Sequence, residues 1–180
     1  MKIANITNGI FIGDVSSSYN VSMLKKLDIH HVLYICNNNN KSLLVYNKYK
    51  KHNITHRFIK YTPGSPSKSL STGSVNLLNT CDKAYAFIND CVKNNKNILV
   101  HCCKGVNLSP IIVSYYLMKK MLDYFINEDI QKRDVLDDIL CYVHQHKPDI
   151  APDSRIVNQL KDYEEKILQG KYIYMIDESI

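Results

Sequence analysis

The chain has 180 residues, 45% of them hydrophobic and 22% charged, with a formal net charge of +6. That supplies one sizeable core, no Pro/Gly/Ser-rich linker divides it in two, and no apolar run reaches the roughly 18–20 residues of a membrane span or forms a signal-peptide region. Six cysteines without regular spacing or a paired C-x-x-C motif exclude a disulfide framework and a cysteine metal site, and predict reduced thiols in a cytosolic or nuclear compartment.

Hydrophobic periodicity predicts a strand at Ile10–Ile12, a helix over Ser18–Leu27 and a second strand at His31–Ile35. The run Asn37-Asn38-Asn39-Asn40 reads as a loop, and Arg57–Tyr61 as the next strand. A helix over Val75–Lys93 carries Leu77, Cys81, Ala84, Ile88 and Cys91 at helical spacing, a stripe that core packing explains without a cofactor. Core packing is also the reading of Cys36 and Cys141, while Asp82 on the same helix reads as a solvated charge. A short strand, Ile98–His101, follows the polar turn at Asn94-Asn95-Lys96-Asn97. Helices are then expected at Pro110–Leu122, at Ile130–His144 with Val135, Ile139, Tyr142 and Val143 as its buried face, and at Asp153–Leu168. Gly170 reads as a helix stop. Beyond it, alternating Tyr172, Tyr174 and Ile176 fit either an edge strand, able to engage a second molecule as in a homodimer, or a frayed tail. The alternation of elements predicts a single compact α/β domain over residues 1–170, a central mixed sheet flanked by helices, with a tail at 171–180.

The most specific stretch is His101-Cys102-Cys103-Lys104-Gly105-Val106-Asn107-Leu108-Ser109, set between the strand at Ile98–His101 and an apolar helix with Pro110 in its first turn. A loop entering a helix N-terminus presents free backbone N–H groups and the positive end of the helix dipole, a setting that favours an anion. Gly105 and Asn107 read as turn formers, Gly105 supplying conformations that other residues resist. Cys103 reads as buried structure, since a disulfide between adjacent residues is strained. Lys104 reads as a solvated loop lysine.

This stretch resembles the loop H-C-x-x-G-x-x-R-[ST] of the dual-specificity protein phosphatases, in the small form typified by the poxvirus enzymes. The resemblance extends along most of the chain: Ile10-Phe11-Ile12-Gly13-Asp14 is similar to the family's opening strand and turn, Leu24 to Leu33 to the following helix and strand, and Asn76 to Ile88 to the helix before the catalytic strand. Tyr116-Leu117-Met118-Lys119 resembles the helix after the loop, and Lys147-Pro148-Asp149-Ile150-Ala151-Pro152 with Gln159-Leu160 the closing segment. It implies a cysteine-phosphatase fold, with Cys102 in the place of the nucleophile that attacks phosphorus. It also implies that His101 orients the loop and that Ser109 stands where the family assists thiolate departure, or here simply caps the helix.

Two departures set the chain apart. Leu108 stands where the family has the arginine that grips two phosphate oxygens with its planar fork. The family's general acid is a loop aspartate shortly before the helix expected near Asn76, yet Thr62 to Val75 holds no Asp or Glu and Ser71 occupies the acid's place by register. A serine hydroxyl is no general acid near neutral pH. The expectation is therefore a pseudophosphatase, with Cys102 a vestigial nucleophile, that binds a protein or phosphoprotein partner. The alternative is a weakly active phosphatase in which Lys104 or Arg155 substitutes for the missing arginine, and an outlying reading is binding of RNA 5′-phosphates. No cofactor, metal or membrane is called for. The lysines, among them Lys41, Lys48, Lys50, Lys51, Lys93, Lys96, Lys119 and Lys120, read as a dispersed solvated surface. The abundance of Asn, Lys and Ile points to an AT-rich genome, that of a parasite or a large DNA virus, in which case the protein would act in the host cell or virion.

Overall fold

The computed structural model describes residues 3–36, 43–62, 70–124 and 135–177. Among them, strands β1 (Ala4–Thr7), β2 (Ile10–Gly13), β3 (Ile29–Cys36), β4 (Thr55–Lys60) and β5 (Asn97–His101) form one sheet in the order β1-β2-β5-β3-β4. Gly9, at φ 80°, turns the chain so that β1 pairs antiparallel with β2. The other pairings, β2 with β5, β5 with β3 and β3 with β4, are parallel, so the sheet is mixed as expected. β1 gives no sequence signal because only Ile6 of its four residues is buried.

Alternation along the strands divides the apolar side chains between two cores. Leu99 and Val32 point to one face, where Phe11, Val21, Leu24, Tyr49 and Ile54 cover them; Ile98, Val100, Leu33 and Ile35 point to the other and join the larger core. The smaller layer is built by three helices, α1 (Val15–Tyr19), α2 (Val21–Lys26) and α3 (Leu43–Lys51). The single helix expected over Ser18–Leu27 is in fact two. Asp14 accepts from the Ser17 N–H and caps the first, while Asn20 leaves helical geometry (ψ 80°) and caps the second through the Met23 N–H. α3 escapes sequence reading because its apolar residues run consecutively from Leu43 to Tyr46 rather than at helical spacing and are followed by Lys48, Lys50 and Lys51; Tyr49 anchors it by donating from its hydroxyl to the Ser18 carbonyl at 2.7 Å.

The larger layer contains α4 (Leu70–Lys93), α5 (Leu108–Tyr124), α6 (Val135–His146) and α7 (Ser154–Asp177). The stripe Leu77, Cys81, Ala84, Ile88 and Cys91 on α4 is fully buried against the sheet, as its spacing requires. Three expectations need correction. α4 begins five residues earlier than Val75. α7 continues through Gly170 to Asp177, so no stop falls there and the backbone of residues 171–177 is helical rather than an edge strand. On α6, Cys141 is exposed and Tyr142 is only partly covered, although its hydroxyl donates to the Ile6 carbonyl; Val135, Leu136, Ile139 and Val143 form the buried face. The expected start of that helix at Ile130, the asparagine run 37–40 and Lys41 lie outside the described residues.

Asp82 is also not the free surface charge that its helical position suggested. Its carboxylate accepts from the hydroxyl of fully buried Tyr115 at 2.7 Å and from Lys119 Nζ at 2.9 Å, while Lys119 sits 4.8 Å over the Tyr85 ring. Burial pushes the Asp82 carboxyl up, but these hydrogen bonds outweigh it and hold its pKa below the ordinary carboxylate value. The cluster ties α4 to α5.

Candidate functional site

β5 ends at His101, in the middle of the sheet, and α5 begins at Leu108, so Cys102 to Asn107 form a tight connection at the carboxyl ends of the parallel strands. Ligands of open α/β sheets gather at this rim. The Cys102 side chain is buried, with its sulfur 3.3 Å from the Ser109 hydroxyl and 3.3 Å from the Gly105 backbone nitrogen, whose N–H points at it. Ser109 is the second residue of α5 and fully buried. It therefore does not cap the helix. Its hydroxyl touches the thiol instead, where it can donate to a thiolate.

The loop is tied to the body of the fold on two sides. On one, the Val15 N–H donates to the Cys103 carbonyl; on the other, the Ala151 N–H donates to the Val106 carbonyl at 2.7 Å and the Asp153 N–H to Asn107 Oδ1 at 3.0 Å. Gly105, at φ 72°, lies against the turn after β2: a β-carbon there would stand 2.5 Å from the Gly13 carbonyl oxygen. That obstacle is backbone and cannot rotate away. Gly105→Ala is expected to lower stability by about 2 kcal/mol through left-handed strain and this clash. Urea unfolding compared with Lys104→Ala next door checks it, since equal midpoints would mean that the turn can yield.

His101 is 3% exposed and stacks flat on Tyr34, ring centroids 4.5 Å apart and 4° from parallel. Burial drives the imidazole pKa down to about 4, against smaller opposing effects of the Cys102 backbone and the Asp14 carboxylate. It is thus neutral near pH 7 and forms a rigid floor under the loop. Tyr34 extends from His101 to Cys103, its hydroxyl 3.8 Å from the thiol. Sequence reading missed Tyr34. The period-two alternation of β3 fixes only the face on which Tyr34 lies; the parallel register with β5 is what sets it beside His101.

The remaining site residues fall as follows. Cys103 and Lys104 are exposed, which corrects the reading of Cys103 as buried. Leu108 is the first residue of α5, half-buried and packed against the larger core. Ser71 lies, by its backbone, in the first turn of α4 rather than in a loop before it. Arg155 is exposed and bound to Asp153 through two contacts, Nε to Oδ1 at 3.1 Å and Nη2 to Oδ2 at 2.7 Å. Among the described residues no group of three or more His, Cys, Asp or Glu side chains could hold a metal ion, and no helix is long and apolar enough to cross a membrane. All six cysteines are free thiols. In chemical terms the loop offers a buried sulfur with two donors beside it, at a helix N-terminus, and no guanidinium.

Comparison with known proteins agrees with this geometry. A tyrosine-protein phosphatase of Caenorhabditis elegans, vhp-1, is 26% identical over 93% of this chain, which spans 22% of that protein's length; human dual specificity protein phosphatase 16 is 35% identical over 48% of the chain, which spans 11% of it. A protein of Acanthamoeba polyphaga mimivirus, named as a candidate tyrosine-protein phosphatase, is 25% identical, with 92% of this chain and 85% of that one covered. Among solved structures, a leucine-rich-repeat and phosphatase-domain protein of Entamoeba histolytica superimposes with a TM-score of 0.65 at 18% identity, covering 93% and 94% of the two chains. The human tyrosine phosphatase-like serine/threonine/tyrosine-interacting protein does so with a TM-score of 0.62 at 19% identity, covering 92% and 97%. The family model described as dual specificity phosphatase, catalytic domain, matches residues 10–166, and with the Cys102 loop in its place between β5 and α5 the chain belongs to the dual-specificity phosphatase family.

Proposed function

We propose that this member of the family is a pseudophosphatase, which holds a protein or phosphoprotein partner and does not turn phosphate over. The observation that carries the reading is Leu108, an apolar side chain packed on the core at the position of the phosphate-gripping arginine, in a loop whose other contacts are assembled. The charge that builds up on a transferring phosphoryl group needs fixed positive partners, and electrostatic stabilisation of this kind is the largest single term in many enzymes. The missing acid at Ser71 adds a second loss, typically about 10²–10⁴ in rate.

The alternative of a weakly active enzyme needs a borrowed cation. Arg155 lies two residues from Asp153, whose N–H holds Asn107, but its guanidinium is occupied by the Asp153 carboxylate. Lys104 offers a point charge without the bidentate fork. Binding of RNA 5′-phosphates rests on charge alone. The four buried free thiols, Cys36, Cys81, Cys91 and Cys102, suit a reducing intracellular compartment.

The test is a turnover assay on aryl phosphate and on phosphotyrosine and phosphothreonine peptides, with Cys102→Ser as the control. The two proteins are expected to show the same background. Hydrolysis by the unaltered chain that disappears in Cys102→Ser would establish a working phosphatase and end this reading.

A further inference from the structure

The positive charge of this chain is concentrated. Between Val15 and Thr62 there are eight lysines and arginines and one acidic residue, Asp28, so this stretch carries +7 where the whole chain carries +6 and the rest is near neutral. The fold then brings three lysines of that stretch, Lys25, Lys48 and Lys51, together around His52. Lys25 and Lys26 end α2; Lys48, Lys50 and Lys51 end α3; all five are exposed. Because α2 leads into the start of β3 and α3 into the start of β4, these lysines lie toward the amino ends of the parallel strands, away from the Cys102 loop. Lys25, Lys48 and Lys51 surround His52 closely enough for their charges to reinforce the depression of its pKa that desolvation begins. Asp28 is turned to His30, 3.4 Å away.

The other flank of α2 has a different character. Met23 and Leu27, one helical turn apart, line a groove of about 620 Å³ whose further walls are Ile3, Ala4, Pro148 and the segment from His146 to Asp149. At its edge Lys147 is buried to 3% exposure and paired with Asp149 at 2.6 Å, so its stem contributes apolar wall while its charge is satisfied. Met23 on α2 and Tyr19, the last residue of α1, are exposed to 36% and 43%, and Lys48 Nζ donates to the Tyr19 carbonyl. A concave apolar groove and a lysine surface thus share one helix, α2, about 10 Å across. No residue of the Cys102 loop lines the groove.

We infer that the two flanks of α2 form one docking site for an extended acidic peptide segment, with carboxylates over Lys25, Lys48 and Lys51 and an aliphatic side chain in the Met23–Leu27 groove. Crossing one helix takes about three extended residues, which sets the spacing between the acidic run and the aliphatic anchor. A protein segment fits better than the other polyanions. A nucleic acid has no aliphatic side chain to fill the groove, and a bilayer surface would cover the lysines without entering a concavity. The inference goes beyond the pseudophosphatase reading and holds whether or not the loop turns over phosphate, because it uses none of the loop's residues.

Fluorescence anisotropy on the full chain tests it. The probe is a labelled peptide with a run of glutamates followed, after a two-residue spacer, by leucine; its comparison has serine in place of that leucine. The leucine peptide is expected to bind about tenfold more tightly than the serine peptide, and to weaken as salt rises. Lys48→Glu with Lys51→Glu should weaken both peptides about tenfold, whereas Met23→Ser should remove only the preference for leucine. Thermal unfolding of each variant confirms that it is folded, and Lys25→Glu replaces the double variant if that one melts early. Equal binding of leucine and serine peptides overturns the proposal. So does tighter binding of a single-stranded RNA, or of vesicles containing phosphatidylserine, that the lysine variants abolish while Met23→Ser leaves it intact.

Discussion

Leu108→Arg should raise affinity for inorganic oxyanions such as tungstate by about tenfold or more, and combining it with Ser71→Asp should raise aryl phosphate turnover by about 10²–10⁴ over the arginine variant alone. The reason lies in what the fold has kept. The loop is tied to α1 through Cys103, to the segment before α7 through Val106 and Asn107, and to the turn after β2 through close packing of Gly105. None of these ties involves the side chain at position 108. Its backbone begins α5, so a guanidinium placed there starts from the helix N-terminus that the loop's N–H groups already surround. The cost is the apolar packing of half-buried Leu108 against the core, which a long arginine stem partly replaces. Ser71→Asp carries the acid into the first turn of α4, where a carboxylate also suits the helix dipole. Calorimetry with tungstate decides the first step and initial rates the second. If Leu108→Arg binds the oxyanion no better than the unaltered chain, the cradle is not preserved.

How far the sequence could be read depended on whether a residue's role was local. The Cys102 loop was legible because its chemistry is written in consecutive residues, and the α4 stripe because burial of one helix face imposes a fixed period. Asp82 was misread because its partners come from another element: Tyr115 and Lys119 reach it from α5. Ser109 carried two readings, a helix cap or a partner of the thiol, and only the folded loop, which brings it 3.3 Å from the Cys102 sulfur, chooses between them. Asn20 broke an expected helix because a side chain that caps competes with the helix it interrupts. The basic surface was hidden for the same reason as Asp82. Lys25 and Lys48 stand far apart in sequence, and only the crossover of α3 beside α2 brings them to His52.

The unaltered chain should lose about 3 kcal/mol of folding stability between about pH 6.5 and pH 4 through His101 alone. Buried beneath the loop and stacked on Tyr34, this imidazole has its pKa depressed from 6.5 to about 4, with burial as the leading cause. The unfolded chain therefore binds a proton at His101 through that window while the folded chain does not. Stability from this group is fully present above the unfolded value and is lost as pH falls through the folded one. His31, on the α4 side of the sheet, is also depressed, first by burial, and adds in the same direction, so the total slope exceeds that of His101. His101→Asn separates the two. It should be less stable than the parent near neutral pH, where the Tyr34 stack is lost, yet show a flatter decline toward pH 4. Urea unfolding at several pH values gives the slopes, and the ring proton shifts of His101 in NMR titration give its pKa directly. An imidazole titrating near 6.5 in the folded chain would show that water or an ion reaches the floor of the loop. The Cys102 loop would then rest on a solvated base rather than on a fixed neutral ring.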